Sequence, residues 1–479
     1  MTENLALLTD FYELTMMGGY HACHKLHQRA VFDLYFRKIP EQGGFCLAAG
    51  LQPALEYLLS LRFTSDDLAY LRAQKLFPEG FVDWLKDFRF QGNVHALPEG
   101  SLVFPGEPLL RVEGTLPETQ LVESLLLNVI NFQTLIATKS ARVYEASGHG
   151  VILEFGLRRA QGVNGAMAAS RAGYVGGAVA TSNTLAGKQY GIPVKGTMAH
   201  AWVMSFGDEL EAFRQYAATY PNDCTLLVDT YDTLLSGVPN AIKVGLEQRE
   251  KGLSLRGIRL DSGDLAYLSK QARAMLDQAG LTETQIVASS DLDEFLIADL
   301  RAQGARIDIW GVGTNLVTSK GEPALGGVYK LVAADEDGVM VPRIKVSSNP
   351  AKITLPGIKQ LYRCFGPDGV VHGDVLALHD ESFPSEGAMR SHHPLYAHIR
   401  QEVSGRWEPM LVPVVKAGEL CYEFPSLQEA RQRSLASLAS LRAEHKRMVN
   451  PDIYWVGLSE GLFQLRRDLL SRTPAPAAP

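Results

Sequence analysis

The chain has 479 residues and a formal net charge of −7, from 46 basic and 53 acidic side chains. That balance excludes a broad nucleic-acid surface, while a local basic pocket for phosphates stays compatible with it. A hydrophobic content of 46% and a charged content of 21% are ordinary for a soluble globular protein, and the length suits two or three domains.

The amino terminus, Met1-Thr2-Glu3-Asn4, lacks the basic and long apolar regions of a signal peptide. Residues 1 to about 130 hold short strand-like runs with punctuation at Pro40, Gly43, Gly44 and Pro98 to Gly106. Alternation in Val31-Phe32-Asp33-Leu34-Tyr35-Phe36 predicts a strand with one buried face. The greasiest stretch, Leu125 to Ala137, is interrupted by Asn128, Asn131 and Gln133 and reads as too short to span a bilayer. No membrane partner is expected.

Residues 131 to about 325 repeat one pattern, an apolar run that stops on reactive or polar residues. Val151 to Phe155 runs into Gly156-Leu157-Arg158-Arg159, and Val194 to Ala199 stops on His200. Thr225 to Val228 stops on Asp229, and Gly257 to Leu260 stops on Asp261-Ser262-Gly263-Asp264. Ile286 to Ala288 stops on Ser289-Ser290-Asp291, and Ile307 to Trp310 on Gly311-Val312-Gly313-Thr314. Such runs, separated by helix-length segments, predict βα units with parallel strands, whose carboxyl ends form an active-site rim. The pattern predicts an enzyme. Asp264 to Ala279 reads as a helix stopped by Gly280.

From about 326 to 472 strands return, at Val328 to Val332 and Val341 to Val346, with a turn cluster at Pro350, Pro356 and Gly357. Ser426 and Glu429 have capping-box spacing, and Leu427, Leu435, Leu438, Leu441 and Met448 are expected on one helix face. Thr473 to Pro479, rich in Pro and Ala, is expected to be a disordered tail. The five cysteines (Cys23, Cys46, Cys224, Cys364, Cys421) form no Cys-x-x-Cys pair, which points to a reducing compartment, the cytoplasm. His21, Cys23, His24 and His27 resemble metal ligands, but no second Cys/His group completes a tetrahedral site. His392, His393 and Cys421 are weaker still, and both groups read as polar surface.

On the rim, His200 has the position of a functional histidine, against the bland reading of a core one. Asp229, Asp232, Asp261, Asp264 and Asp291 would converge on one mouth, where Mg²⁺ carrying a polyphosphate is the common way to neutralise them. Some must be helix caps, Asp264 first. Gly311-Val312-Gly313-Thr314 would offer backbone N–H groups to a phosphate, with a plain tight turn as the alternative. Its spacing matches neither the Rossmann nor the P-loop pattern. Arg158, Arg159 and Arg259 could grip a carboxylate or phosphate bidentately; surface ion pairing explains Arg259 less naturally, between Ile258 and Leu260. Together these groups suggest chemistry on a phosphorylated sugar.

Several runs resemble nicotinate phosphoribosyltransferase. They are Leu8-Thr9-Asp10-Phe11-Tyr12-Glu13-Leu14-Thr15-Met16, Phe155-Gly156-Leu157-Arg158-Arg159-Ala160-Gln161-Gly162, Thr181-Ser182-Asn183-Thr184-Leu185-Ala186-Gly187, Gly196-Thr197-Met198-Ala199-His200, Arg259-Leu260-Asp261-Ser262-Gly263-Asp264 and Gly311-Val312-Gly313-Thr314. The resemblance spans roughly residues 5 to 365 in the family's order, and more weakly Tyr454 to Leu465. It implies an α/β fold: an irregular, incomplete α/β barrel over 131–325 beside a mixed α+β domain built from 1–130 and 326–472. It also implies the reaction: nicotinate and phosphoribosyl pyrophosphate give nicotinate mononucleotide and pyrophosphate, with ATP as co-substrate, Mg²⁺ as cofactor and a phosphohistidine as the link. By motif position that histidine is His200, with Asp229 and Asp261 as acidic groups near ribose and metal. Arg158 and Arg259 would lie beside the pyridine carboxylate and phosphates, and Asn183 and Thr197 join the substrate-binding set. Phe155 would stack on the pyridine, and Tyr12 would cover its other face from a partner subunit of a homodimer. Asp291 matches a ribose-hydroxyl position, and Gly311, Gly313 and Thr314 the 5′-phosphate loop.

One departure is Ser347-Ser348-Asn349, where the family usually carries an acid in the place of Ser348. The nearest rival reading is nicotinamide phosphoribosyltransferase, whose members have an aspartate in the run where this chain has Asn183. An asparagine can donate to a carboxylate that an aspartate would repel, which favours the acid substrate. A phosphosugar isomerase or aldolase on a complete barrel would need a lysine or carboxylate base, and no run here ends on such a lysine. A binding-only relative is disfavoured by the presence of His200 and the aspartates.

Overall fold

The computed structural model describes residues 5–472, so the expected tail from Thr473 lies outside the described residues. The chain divides into two compact units. One is Ile136–Pro323, and the other joins the residues up to Leu135 with those from Ala324 onward.

The Ile136–Pro323 unit is built on six parallel strands, in the order Ala180–Thr181, Val151–Glu154, Ile309–Val312, Gln285–Ala288, Gly257–Leu260, Thr225–Leu227. Most of their residues are apolar and buried, as parallel strands covered on both faces require, with Arg259 and Glu154 as the charged exceptions. Because all six run the same way, their carboxyl ends share one edge. The pairing is open between the Ala180 and Thr225 strands, so this sheet is no hydrogen-bonded closed barrel.

Two sequence expectations need correction here. Val194 to Ala199 is not a strand: only a single bridge joins Val194 to Thr181, and His200 instead opens the helix His200–Met204. The exposure of Val194 and Gly196, where a Cβ would meet nothing within 4 Å, leaves the run without the packing that a strand would need. The last strand is Ile309–Val312, displaced from the expected Ile307 to Trp310, which places Gly311 within the strand. The Asp264 expectation holds. Its carboxylate caps the helix Leu265–Gln278 through the Tyr267 N–H at 2.9 Å, and Gly280 follows with φ +74°.

The second unit contains a seven-stranded antiparallel sheet, in the order Val339–Pro342, Gly327–Glu336, Arg29–Phe36, Leu110–Thr115, Asn93–Ala96, Val412–Lys416, Glu419–Leu420. Arg29–Phe36 is central and almost wholly buried, so the expected one-sided alternation fails; Asp33 is kept inside by Lys359 at 2.8 Å. The strand at Val341 already ends at Pro342. A closed five-stranded barrel also lies in this unit: Lys359–Phe365, Val371–Leu378, Val456–Leu458, Glu386–His392 and Arg400–Pro409. Two of its strands are tied by a buried pair, Arg363 with Asp374 at 2.6 Å, and the Tyr454 hydroxyl donates to the same carboxylate at 2.9 Å. The capping box of Ser426 and Glu429 is formed, but its helix, Leu427–Ser440, stops short of Leu441 and Met448.

The run around Leu125 is longer in structure than the sequence suggested. The helical stretch Leu116–Ala146 is, by length and composition, able to cross a membrane. Leu121, Val122, Leu125, Leu126, Ile130 and Leu135 are instead core residues of their unit, the signature of a buried helix. All five cysteines are free, with Cys46, Cys224 and Cys364 buried.

On the first helix, Phe11–Ala22, Glu13 is fully buried and accepts hydrogen bonds from the Ser124 N–H at 3.0 Å and hydroxyl at 2.7 Å. Burial pushes its carboxyl up to about 8, against the Ser124 hydrogen bonds and with help from Glu123. The folded state therefore holds a proton that the unfolded state releases above an ordinary value of 4.5. Stability should fall as pH rises from there to about 8, and Glu13→Gln should flatten that part of the profile. Equal pH dependence of Tm in wild type and variant would refute the assignment.

Candidate active site

The edge made by the carboxyl ends of the parallel strands gathers several of the expected residues through direct contacts. Arg259, inside the Gly257–Leu260 strand, is held on three sides. Its Nε donates to Ser289 Oγ at 2.9 Å, Nη1 donates to Thr197 Oγ1 at 2.9 Å, and Nη2 lies 3.1 Å from Asp261 Oδ1. Ser289 also donates to Asp261. Burial alone would raise the Asp261 carboxyl, but the Ser289 hydrogen bond and the charges of Arg259 and His200 hold it below the usual range.

His200 stands next to this pair. Its Nδ1 is 3.1 Å from Thr230 Oγ1 and its Nε2 is 3.8 Å from Asp261 Oδ2, and its ring is partly exposed. Asp229, at the end of the adjacent strand, accepts from the Asp261 N–H at 2.9 Å and from Ser262 Oγ at 2.6 Å through one oxygen. Its other oxygen, Oδ1, is buried without a hydrogen-bond partner. A fixed imidazole, a carboxylate kept ionised and an orphaned acceptor thus share a few ångströms of rim. This arrangement can stabilise positive charge and present a nucleophilic nitrogen.

The turn after the Val151 strand carries Phe155, Arg158 and Arg159. Arg158 and Arg159 are exposed and, among the described residues, have no side-chain partner, so these cations are available to an anion. Sequence reasoning missed what holds the turn: Glu154, 1% exposed, accepts from the Gly156 N–H, from Ser170 Oγ at 2.8 Å and from Thr181 Oγ1 at 2.6 Å. A carboxylate ending an otherwise apolar strand run was the available signal. Asn183 joins the same network. It is 2% exposed, its Oδ1 caps the helix Thr184–Tyr190, and its Nδ2 faces Ser170 Oγ at 3.2 Å. Its donor is therefore turned inward.

Other expected residues sit apart from direct contact with that cluster. Asp232 caps the turn Thr233–Gly237 through two N–H groups. Asp291 is exposed beside the pocket rimmed by Gly263 and Ser290, and its carbonyl accepts from Asn315 Nδ2 at 2.8 Å. Ser290, next to it, has φ +87°, a strained value for a non-glycine residue. Gly311 meets the Phe155 ring: a Cβ there would lie 2.8 Å from two ring carbons, so this glycine seats the aromatic side chain. Gly313 precedes the short helix Thr314–Val317 that opens on Thr314. Tyr12 belongs to the other unit and is about half exposed.

Gly156 is the tightest of these positions, since a Cβ would overlap both methyls of Val317. Gly156→Ala should destabilise the protein by about 1–3 kcal/mol through overpacking. Adding Val317→Ala should recover part of the loss in denaturant midpoint. A single variant as stable as wild type would show that the turn moves freely.

Comparisons with known proteins cover nearly the whole chain. The model for the nicotinate phosphoribosyltransferase N-terminal domain matches residues 7–131, and that for the C-terminal domain matches residues 358–466. Full-length relatives span the parallel-sheet segment between them. Nicotinate phosphoribosyltransferase of Bacillus subtilis (strain 168) is 47% identical over 460 residues, covering 96% of this chain and 94% of its own. The protein of that name from Caenorhabditis elegans is 38% identical, covering 97% and 93%. The crystal structure of human nicotinic acid phosphoribosyltransferase superposes with a TM-score of 0.82 at 35% identity, over 97% of this chain and 100% of that one.

Proposed function

The chain belongs to the nicotinate phosphoribosyltransferase family, and we propose that it joins nicotinate to phosphoribosyl pyrophosphate, giving nicotinate mononucleotide and pyrophosphate, with ATP hydrolysis coupled through phospho-His200. The observation that carries this reading is the His200–Asp261–Arg259 cluster on the strand-end edge of a chain of that family. An irregular, incomplete barrel is the fuller description of the open parallel sheet that this reading adopts. A cytoplasmic location belongs to the same reading, supported by five cysteines that form no disulfide.

Displacement of pyrophosphate from the anomeric carbon passes through an oxocarbenium-like transition state. Asp229 and the ionised Asp261 stabilise that charge, while the pyridine nitrogen, the nucleophile, needs no general base. His200, fixed by Thr230 and flanked by Asp261, takes the phosphoryl group from ATP. Arg158, without a side-chain partner among the described residues, grips the substrate carboxylate or a phosphate; Arg259, already engaged, orders Thr197, Ser289 and Asp261 and adds positive potential. Phe155, seated on Gly311, stacks on the pyridine, with Gly313 and Thr314 near the 5′-phosphate and Asp291 near the ribose hydroxyls. Asn183 shapes acid selectivity through the Glu154 network that fixes the Phe155–Arg158 turn.

The orphaned Asp229 Oδ1 and its neighbour Asp261 form a hard-oxygen donor set suited to Mg²⁺ arriving on the pyrophosphate. When bound, Mg²⁺ neutralises the leaving group. The reading is tested by supplying phosphoribosyl pyrophosphate, Mg²⁺, ATP and either nicotinate or nicotinamide. Mononucleotide should form from the acid alone; equal turnover of the amide would favour a nicotinamide phosphoribosyltransferase.

A homodimer with shared sites completes the reading, each Tyr12 stacking on the partner's pyridine for roughly 0.5–1.5 kcal/mol beyond its buried area. Mixing a Tyr12→Ala protein with a His200→Ala protein, each impaired in ATP-coupled turnover, should restore part of the coupled activity. Each mixed dimer then has one site with both lesions and one with neither. No recovery despite confirmed subunit exchange would return Tyr12 to its own subunit.

A further inference from the structure

In the unit of the seven-stranded sheet lies a cavity of about 610 Å³ lined by none of the candidate catalytic residues. Rings of Tyr35, His393 and Trp455 form part of its wall. Ile453, 89% exposed, lies on its rim.

Arg466, from the helix Glu460–Arg472, lines the same cavity. Among the described residues it has no ion pair and no side-chain hydrogen bond, and its Nε is buried without a partner. Burial lowers the guanidinium from its ordinary value, and no neighbouring carboxylate opposes the effect. The cavity's lysine differs, for Lys359 is paired with Asp33 at 2.8 Å. A desolvated cation without a counter-charge is unfavourable unless something outside the chain supplies one. Arg442, exposed and without a side-chain partner among the described residues, lines the cavity too, as do Arg37, Glu444 and Asp452. The volume lies within the range of small-molecule sites, which combine apolar walls with a few orienting polar groups.

We propose that this cavity is a second ligand site, for a small molecule that carries an anionic group on a planar ring. The anion meets Arg466, and the ring lies among Tyr35, His393 and Trp455. An aromatic carboxylate and a mononucleotide both have this chemistry.

The test is a fluorescence titration of the full-length protein with nicotinate, with AMP, and with inorganic phosphate as a ring-free control. Signal from Trp455 is taken as the difference between wild type and Trp455→Phe. A saturable Trp455 signal is expected with nicotinate or AMP, and whichever gives it identifies the source. Affinity should fall about tenfold or more in Arg466→Gln, and inorganic phosphate should bind more weakly than the ringed probe. Arg442→Gln, an exposed change, should weaken binding too and keeps the test readable if Arg466→Gln does not fold. Arg259→Ala should leave the Trp455 signal intact, which separates this site from the proposed reaction. No saturable Trp455 signal with either ringed probe, or wild-type affinity in the arginine variants, would overturn the proposal.

Discussion

Replacing His200 by alanine should abolish ATP turnover coupled to mononucleotide formation while leaving a slow, uncoupled transfer. The separation follows from the geometry. The imidazole is held by Thr230 at 3.1 Å, whereas the sugar and pyridine contacts fall to other groups, Asp229, Asp261, Phe155 and Arg158. Losing the ring removes no buried partner, because His200 is partly exposed and its contact with Asp261 is a long 3.8 Å. The fold should therefore be unchanged, and the deficit should appear in kcat with ATP rather than in Tm. Full ATP coupling in the variant would remove His200 from the mechanism.

Arg259→Ala should be the second large lesion. The guanidinium ties Thr197, Ser289 and Asp261 together, so its removal leaves a partly buried carboxylate with only Ser289 and the more distant His200, and takes a cation from the mouth. Truncating one partner of such a hydrogen-bonded charge pair costs about 2–5 kcal/mol, roughly 30-fold to a few thousand-fold in kcat/KM for nicotinate. Arg259→Lys should recover only part of this, since an ammonium cannot serve three directions with a planar fork. An unchanged kcat/KM in Arg259→Ala would assign the anion contact to Arg158 alone.

The sequence made much of the parallel-sheet unit legible, for a physical reason. Buried parallel strands must be apolar throughout and must stop where the chain meets solvent, so Thr225, Gly257 and Gln285 all begin strands close to the expected places. Val194 to Ala199 mimicked that pattern but pairs only through the bridge from Val194 to Thr181, and composition alone cannot reveal how far a pairing extends. The closed five-stranded barrel went unseen because its strands are held by pairings distant in the chain, such as Tyr362 with Pro409 and Val375 with Gly457. Which aspartates act as caps was also undecidable from type alone. Asp264 and Asp232 bind the N–H groups of their own turns, while Asp229 reaches across to Asp261 and Ser262 on the next strand. Ser289 and Glu154 needed coordinates, since only three-dimensional neighbours reveal that they fix Arg259 and the Phe155 turn.

The central claim, that ATP drives the transfer through His200, is tested most directly by mass analysis of the protein after exposure to ATP and Mg²⁺. The predicted result is one acid-labile phosphoryl group on the peptide containing His200, discharged when nicotinate and phosphoribosyl pyrophosphate are added together. A protein that makes nicotinate mononucleotide at an ATP-dependent rate yet never carries phosphate on that peptide would contradict it.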